Sequence, residues 1–129
     1  MILVDSSVFI GLADNRDQWH AAAKKIIPHI SKSTRVISGL ILAEAVTAIG
    51  RRGGGKAAER LYHYLIDSCE IVIMDEKILQ EAMQVFVKYD GTLSVSDAVS
   101  VHIMELKNIR KIASFDSDFD KVDGIVRIH

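Results

Sequence analysis

Five short apolar runs punctuate the chain, and the segments between them carry helical spacing. The runs are ILV (2–4), RVIS (35–38), EIVIM (70–74), KIAS (111–114) and IVRI (125–128). The first, third and fourth are largely continuous rather than alternating, the pattern of strands covered on both faces of a parallel sheet. Helical patterns fall at 17–31, 40–49, 56–67, 76–89 and 95–107. Pro28 is expected to bend or break the first of these. LILAEAVTAI (40–49) is apolar nearly all round and predicts a buried helix. Strands alternating with helices imply an α/β fold with a mainly parallel central sheet of four to five strands. No linker, repeat or low-complexity tract divides residues 1–129, so a single domain is expected.

Composition excludes several classes. With 16 basic and 17 acidic residues the net charge is −1, so a nucleic-acid partner must be held by a local basic patch. The one cysteine, Cys69, has no disulfide partner, and no Cys/His cluster has zinc spacing. This fits a reducing, cytoplasmic setting. The N-terminal MILVDSSVFIGLAD has an acid at position 5 and no basic leader, unlike a signal peptide. No apolar run nears the ~20 residues that cross a bilayer.

Two motif-like stretches fail on inspection. DSDFDK (116–121) begins like a calcium loop, but Lys121 stands where glycine must make the turn. Arg127 stands where a bidentate glutamate belongs. GRRGGGKA (50–57) resembles a phosphate loop until Ala57, which cannot hold Mg²⁺, and it follows a helix rather than a strand. It reads instead as a helix-to-helix connection, with Gly50 as a left-handed cap. Its bases Arg51, Arg52, Lys56 and Arg60 are a candidate grip on a phosphodiester backbone. Nearby Tyr62 and Tyr64, two apart on a helix, cannot both face one groove.

In parallel α/β sheets ligands sit beyond the carboxyl ends of the strands, where strand order reverses. Asp5 directly follows the first strand, and Asp116 lies just past the fourth. Each alone is an ordinary turn residue. Glu44 interrupts an apolar helix, where a carboxylate must be paired or metal-bound. Ser94 and Asp97 have capping-box spacing, which suffices to explain Asp97.

Taken together, VDSSVFI (4–10), LAE (42–44), SVSDAVSVHIMELKN (94–108) and IASFDSDF (112–119) resemble the PIN-domain ribonucleases, in particular VapC-type toxins of toxin–antitoxin pairs. The resemblance spans essentially the whole chain. It implies a three-layer α/β/α sandwich and a metal-dependent endoribonuclease. It makes Asp5, Glu44, Asp97 and Asp116 the cluster binding Mg²⁺ or Mn²⁺, with Asp118 an auxiliary ligand. Ser6 and Ser114 stand where supporting hydroxyls belong, Asp120 has no counterpart, and His102 is structural or peripheral. An RNA substrate, a small antitoxin and a homodimer are implied as partners. The chemistry suits the residue types, since hard divalent cations take oxygen ligands and activate water for phosphodiester hydrolysis. A housekeeping RNA-processing nuclease of the same fold is the nearest rival. A phosphoryl-accepting receiver module is the rival from another class, although it wants adjacent acids after the first strand, where Ser6 and Ser7 follow Asp5.

Overall fold

The computed structural model describes residues 1–129. Five strands form one all-parallel sheet: β1 (Ile2–Val4), β2 (Arg35–Ser38), β3 (Cys69–Val72), β4 (Lys111–Ala113) and β5 (Val126–Ile128). Six helices connect them: α1 (Ser6–Ala13), α2 (His20–Ile30), α3 (Gly39–Gly53), α4 (Gly55–Ser68), α5 (Glu76–Lys88) and α6 (Val95–Lys107). A 3₁₀ turn at Ser117–Lys121 precedes β5.

The strand order is β3-β2-β1-β4-β5. From β1 to β2 to β3 the chain steps one way across the sheet, and from β3 to β4 it returns past β1. Because parallel crossovers are right-handed, the two directions put their helices on opposite faces. Helix packing agrees, with α1 against α2 and α3, α3 against α4, and α5 against α6. The result is the expected three-layer α/β/α sandwich. Strand order reverses between β1 and β4, which pair Leu3 with Ile112 and Val4 with Ala113.

The core lies on both faces of the central strands. Leu3, Val4, Val36, Ile37, Ile112 and Ala113 are fully buried. β3 departs from its expectation. It is a sheet edge, shorter than EIVIM and only partly covered, and Ile73 just beyond it is 77% exposed. Apolar continuity marks a strand without saying which strand has a neighbour on each side.

Three helical expectations change. SSVFIGLA forms α1, which the sequence reading missed, because its Val, Phe and Ile residues look like a strand extension. Gly11 lets α1 approach α2 closely: a Cβ there would lie 3.2 Å from the Trp19 carbonyl oxygen and 3.3 Å from Ala23 Cβ. α2 starts at His20 rather than at 17 and runs through Pro28 to Ile30, since one missing N–H in the last turn costs little against a buried stripe of Ala23, Ile26 and Ile30. α3 runs on through Gly50, and the positive-φ residue at its end is Gly54, at φ 89°. A single residue therefore joins α3 to α4. Nor is α3 buried all round: Ile41, Ala45 and Ile49 face inward, while Ala43, Glu44 and Thr47 are exposed.

Candidate active site

Asp5 stands at the N-cap of α1, yet its side chain caps nothing. Its carboxylate is buried, 7% exposed, and is spent on tertiary contacts. Oδ2 accepts from Ser7 Oγ at 2.8 Å and from Ser114 Oγ at 2.9 Å. No protein donor reaches Oδ1. Ser7 also accepts the Phe115 N–H at 3.1 Å, and Ser114 accepts the Asp116 N–H at 3.0 Å. Two hydroxyls thus tie the end of β1 to the loop after β4. Of the two serines expected near the cluster, Ser114 bonds Asp5, while Ser6 only lines the cleft and the second bonded hydroxyl is Ser7.

The loop is braced from within. Asp116 Oδ1 accepts the Asp118 N–H at 2.9 Å, opening the 3₁₀ turn. Asp118 sits at the rim, bridged to Lys121 at 3.1 Å. Asp120, unassigned from sequence, is held by both carboxylate oxygens to Arg127, at 2.8 and 3.0 Å.

From the opposite helical layer, α6 presents Asp97. Ser94 Oγ accepts the Asp97 N–H at 3.0 Å, so the serine half of the capping box is made. No bond returns from the Asp97 carboxylate to the Ser94 N–H. The Asp97 carboxyl is pushed up to about 7, chiefly by burial and then by the charge of Asp5. Ser94 pulls it partly back, and Asp116 and Glu44 raise it further. Glu44 reaches the same place from α3. It is exposed rather than buried, and its Oε1 accepts from Ser96 Oγ at 2.5 Å. Glu44 is therefore not forced by burial to find a partner. Its position beside the cleft is what singles it out.

Asp5, Ser6, Ser7, Ile10, Glu44, Ser94, Asp97, Asp116 and Asp118 line one open cleft of about 370 Å³. All five predicted acids meet there, at the β1/β4 reversal. Other surface clefts are of similar volume, such as one of about 380 Å³ bordered by Arg16, His20 and Arg52. Volume selects nothing here; the donor set does. Asp5, Glu44, Asp97 and Asp116 form no salt bridge with any lysine or arginine. Carboxylates and hydroxyls without nitrogen or sulfur donors suit a hard divalent cation such as Mg²⁺ or Mn²⁺. As they stand, no three of these groups close around a single point. Mutual repulsion spreads like charges, and a cation would offset it.

This is the constellation on which the family resemblance rested, and the PIN domain model matches residues 2–125. The chain belongs to the PIN-domain family. It is 30% identical over 131 residues to the 23S rRNA-specific endonuclease VapC20 of Mycobacterium tuberculosis, spanning 99% of this chain and 98% of that one. The crystal structure of the same VapC20, a sarcin-ricin loop cleaving toxin, superposes with a TM-score of 0.85 at 26% identity, over 97% of each chain. A toxin–antitoxin complex from Klebsiella pneumoniae shares the fold, at TM-score 0.75 and 16% identity, covering 98% of this chain and 96% of that one.

The basic cluster does not hold together as a PIN-domain groove. Arg52 is spent on Asp14 and Asp17, at 3.2 and 2.7 Å. Arg51 lines a second cleft with Ser6, Ile10, Ala43, Glu44, Thr47 and Ala48, continuous with the acidic one through Ser6, Ile10 and Glu44. Lys56 and Arg60 on α4 border neither cleft. Tyr64 turns inward, where its hydroxyl accepts from Arg35 at 2.8 Å, while Tyr62 stays exposed. His102 is bound to Glu81 between α6 and α5 at 2.8 Å, outside the cleft. Ser7 and Ser96 were missed by sequence reasoning. Ser7 stands two residues after its partner Asp5, so the Asp-x-Ser spacing could have found it, whereas the partner of Ser96 lies 52 residues away.

Proposed function

We propose that this PIN domain, residues 1–129, is a divalent-metal-dependent endoribonuclease and the toxin of a toxin–antitoxin pair. The observation that carries the reading is the meeting of Asp5, Glu44, Asp97 and Asp116 in one unpaired acidic cleft at the sheet's reversal point. These four would hold Mg²⁺ or Mn²⁺, with Asp118 assisting at the rim. Such an ion supplies acidification of a water and neutralisation of charge on the phosphate undergoing in-line attack. The protein's own part is orientation. Ser7 and Ser114 fix one oxygen of Asp5 and leave the other toward the cleft. Ser114 sets Asp116 in the same act, and Ser96 holds Glu44.

Substrate enters along the joined clefts. Arg51, seven residues beyond Glu44 on the same helix, lies about 10 Å along the axis from it, the reach of one or two nucleotides of a single strand. We assign Arg51 to a flanking phosphate and withdraw Arg52. A looped or single-stranded RNA is the substrate class, as splayed strands expose their backbone to a shallow groove. The VapC20 likeness supports both the RNA substrate and the toxin role, and the likeness to a toxin–antitoxin complex supports a small antitoxin partner. No helix is long and apolar enough to cross a membrane; the working form we propose is a cytoplasmic homodimer.

The test is metal removal and return. Chelated protein should leave RNA intact, and added Mg²⁺ or Mn²⁺ should restore cleavage. Equal cleavage in excess chelator would contradict the reading. A housekeeping nuclease is separated from a toxin by the neighbouring reading frame, which for a toxin encodes a short protein with a DNA-binding half. Acid-labile labelling of one aspartate by a small phosphodonor would support the receiver module instead.

A further inference from the structure

We propose that Arg127 is a positioning residue for the acidic cluster, latching the Ser114–Asp120 loop so that Asp116 is held against Asp5. The inference rests on the metal-site reading above. Arg127 lies in β5, in register with Ile112 of β4. Its guanidinium uses all three nitrogens. Nε and Nη2 donate to the two oxygens of Asp120, and Nη1 donates to the Ser114 carbonyl at 3.1 Å. Those two acceptors bracket the loop, one on each side of Asp116 in sequence.

The consequence for the site follows from Ser114. Its carbonyl is held by Arg127, while its hydroxyl donates to Asp5 Oδ2 and accepts the Asp116 N–H. The residue that Arg127 grips is therefore the one that joins the Asp5 carboxylate to the backbone of Asp116. At the other end, Asp120 lies within the 3₁₀ turn, Ser117–Lys121, that Asp116 opens. The Arg127 side chain is only 12% exposed. An ordinary surface pair contributes little because two mobile side chains must be ordered in water. Asp120 is 56% exposed, so the fork is sheltered on the arginine side only, but two carboxylate bonds and a carbonyl bond are geometrically demanding, and lysine cannot reproduce them. This also accounts for Asp120, which the metal cluster leaves unused.

Partners that orient metal ligands typically cost 10–100-fold in metal affinity or activity when removed. The experiment is Mn²⁺ titration by calorimetry on chelator-stripped protein, beside RNA cleavage kinetics and thermal unfolding. The proteins are wild type, Arg127→Lys, Asp120→Asn, the double variant and Asp97→Asn. Arg127→Lys and Asp120→Asn should each weaken Mn²⁺ binding about 10-fold and lower kcat, with KM for RNA unchanged. The double variant should be no worse than the weaker single, since both break one device. Asp120→Asn keeps the size of the side chain, so it remains informative if the arginine change impairs folding. Wild-type Mn²⁺ affinity in folded Arg127→Lys and Asp120→Asn would overturn the latch, even if both melt earlier. A raised KM with Mn²⁺ affinity intact would overturn it too, by making Arg127 an RNA contact. Asp97→Asn separates the two levels. If it abolishes Mn²⁺ binding while the latch variants do not change it, only the latch fails. If it binds Mn²⁺ as wild type does, the metal-site reading fails and the latch with it.

Discussion

Asp97 shows how a single side chain can be costly to the fold and useful to the site. It is half-buried on α6 among Asp5, Asp116 and Glu44, and its carboxyl rises from 3.8 to about 7. A carboxyl raised in the fold keeps its proton where the unfolded chain has already lost it. Its stabilising contribution is therefore complete below about pH 4, declines as pH climbs, and is gone above about pH 7. In chelator, the wild-type melting temperature should fall across this window, and Asp97→Asn should flatten that fall. At pH 8 the metal-free Asn variant should melt higher than wild type. Added Mn²⁺ should raise the wild type and leave the variant unmoved. Thermal scans from pH 5 to 8, with and without metal, check each part. A wild-type profile that rises with pH in chelator would contradict the repulsion described for the cleft.

At the level of elements, α3 divides its labour by face. Ile41, Ala45 and Ile49 bury one stripe, while Glu44, Thr47 and Arg51 run along the wall of the joined clefts at intervals of three and four. Arg52 comes one residue later, about 100° around the axis, and clamps the α1–α2 connection through Asp14 and Asp17. Adjacent arginines thus have separate tasks. Arg51→Ala should raise KM for RNA and lower the log–log salt slope of binding by about 1, the mark of one lost phosphate contact. Arg52→Ala should leave that slope alone and lower the melting temperature slightly. Binding measured over a salt series distinguishes them; equal slopes for both variants would mean that Arg51 does not touch the backbone.

At the scale of the whole molecule, the site exists because the chain reverses direction across its sheet. β1 and β4 become neighbours only after the crossover from β3, and this brings Asp5 beside a loop more than 100 residues away. That much was legible in sequence: continuous apolar runs announce strands, and acids just past their ends announce a rim. Asp97 was legible as the third residue of a capped helix, though not as a group that leaves its capping box half made. Glu44 was found for a reason that did not hold, since an apolar stretch of helix can still turn one edge to solvent. α1 was hidden because Val8, Phe9 and Ile10 favour strands locally, and packing against α2 and α3 outweighs that preference. Ser96 and the pairing of Arg52 were closed to sequence, since each depends on a partner brought near by topology alone, whereas Ser7 was within reach through its spacing to Asp5. The central claim is that the converging acids cut RNA with a bound cation. It is tested most directly by mapping the cut sites that wild-type and Asp5→Asn proteins make in defined RNAs with Mn²⁺. The account predicts discrete cuts by the wild type and a loss of at least about 100-fold in the folded variant, beyond what an outer partner would cost. Cleavage at the same positions and rate by both proteins would contradict it.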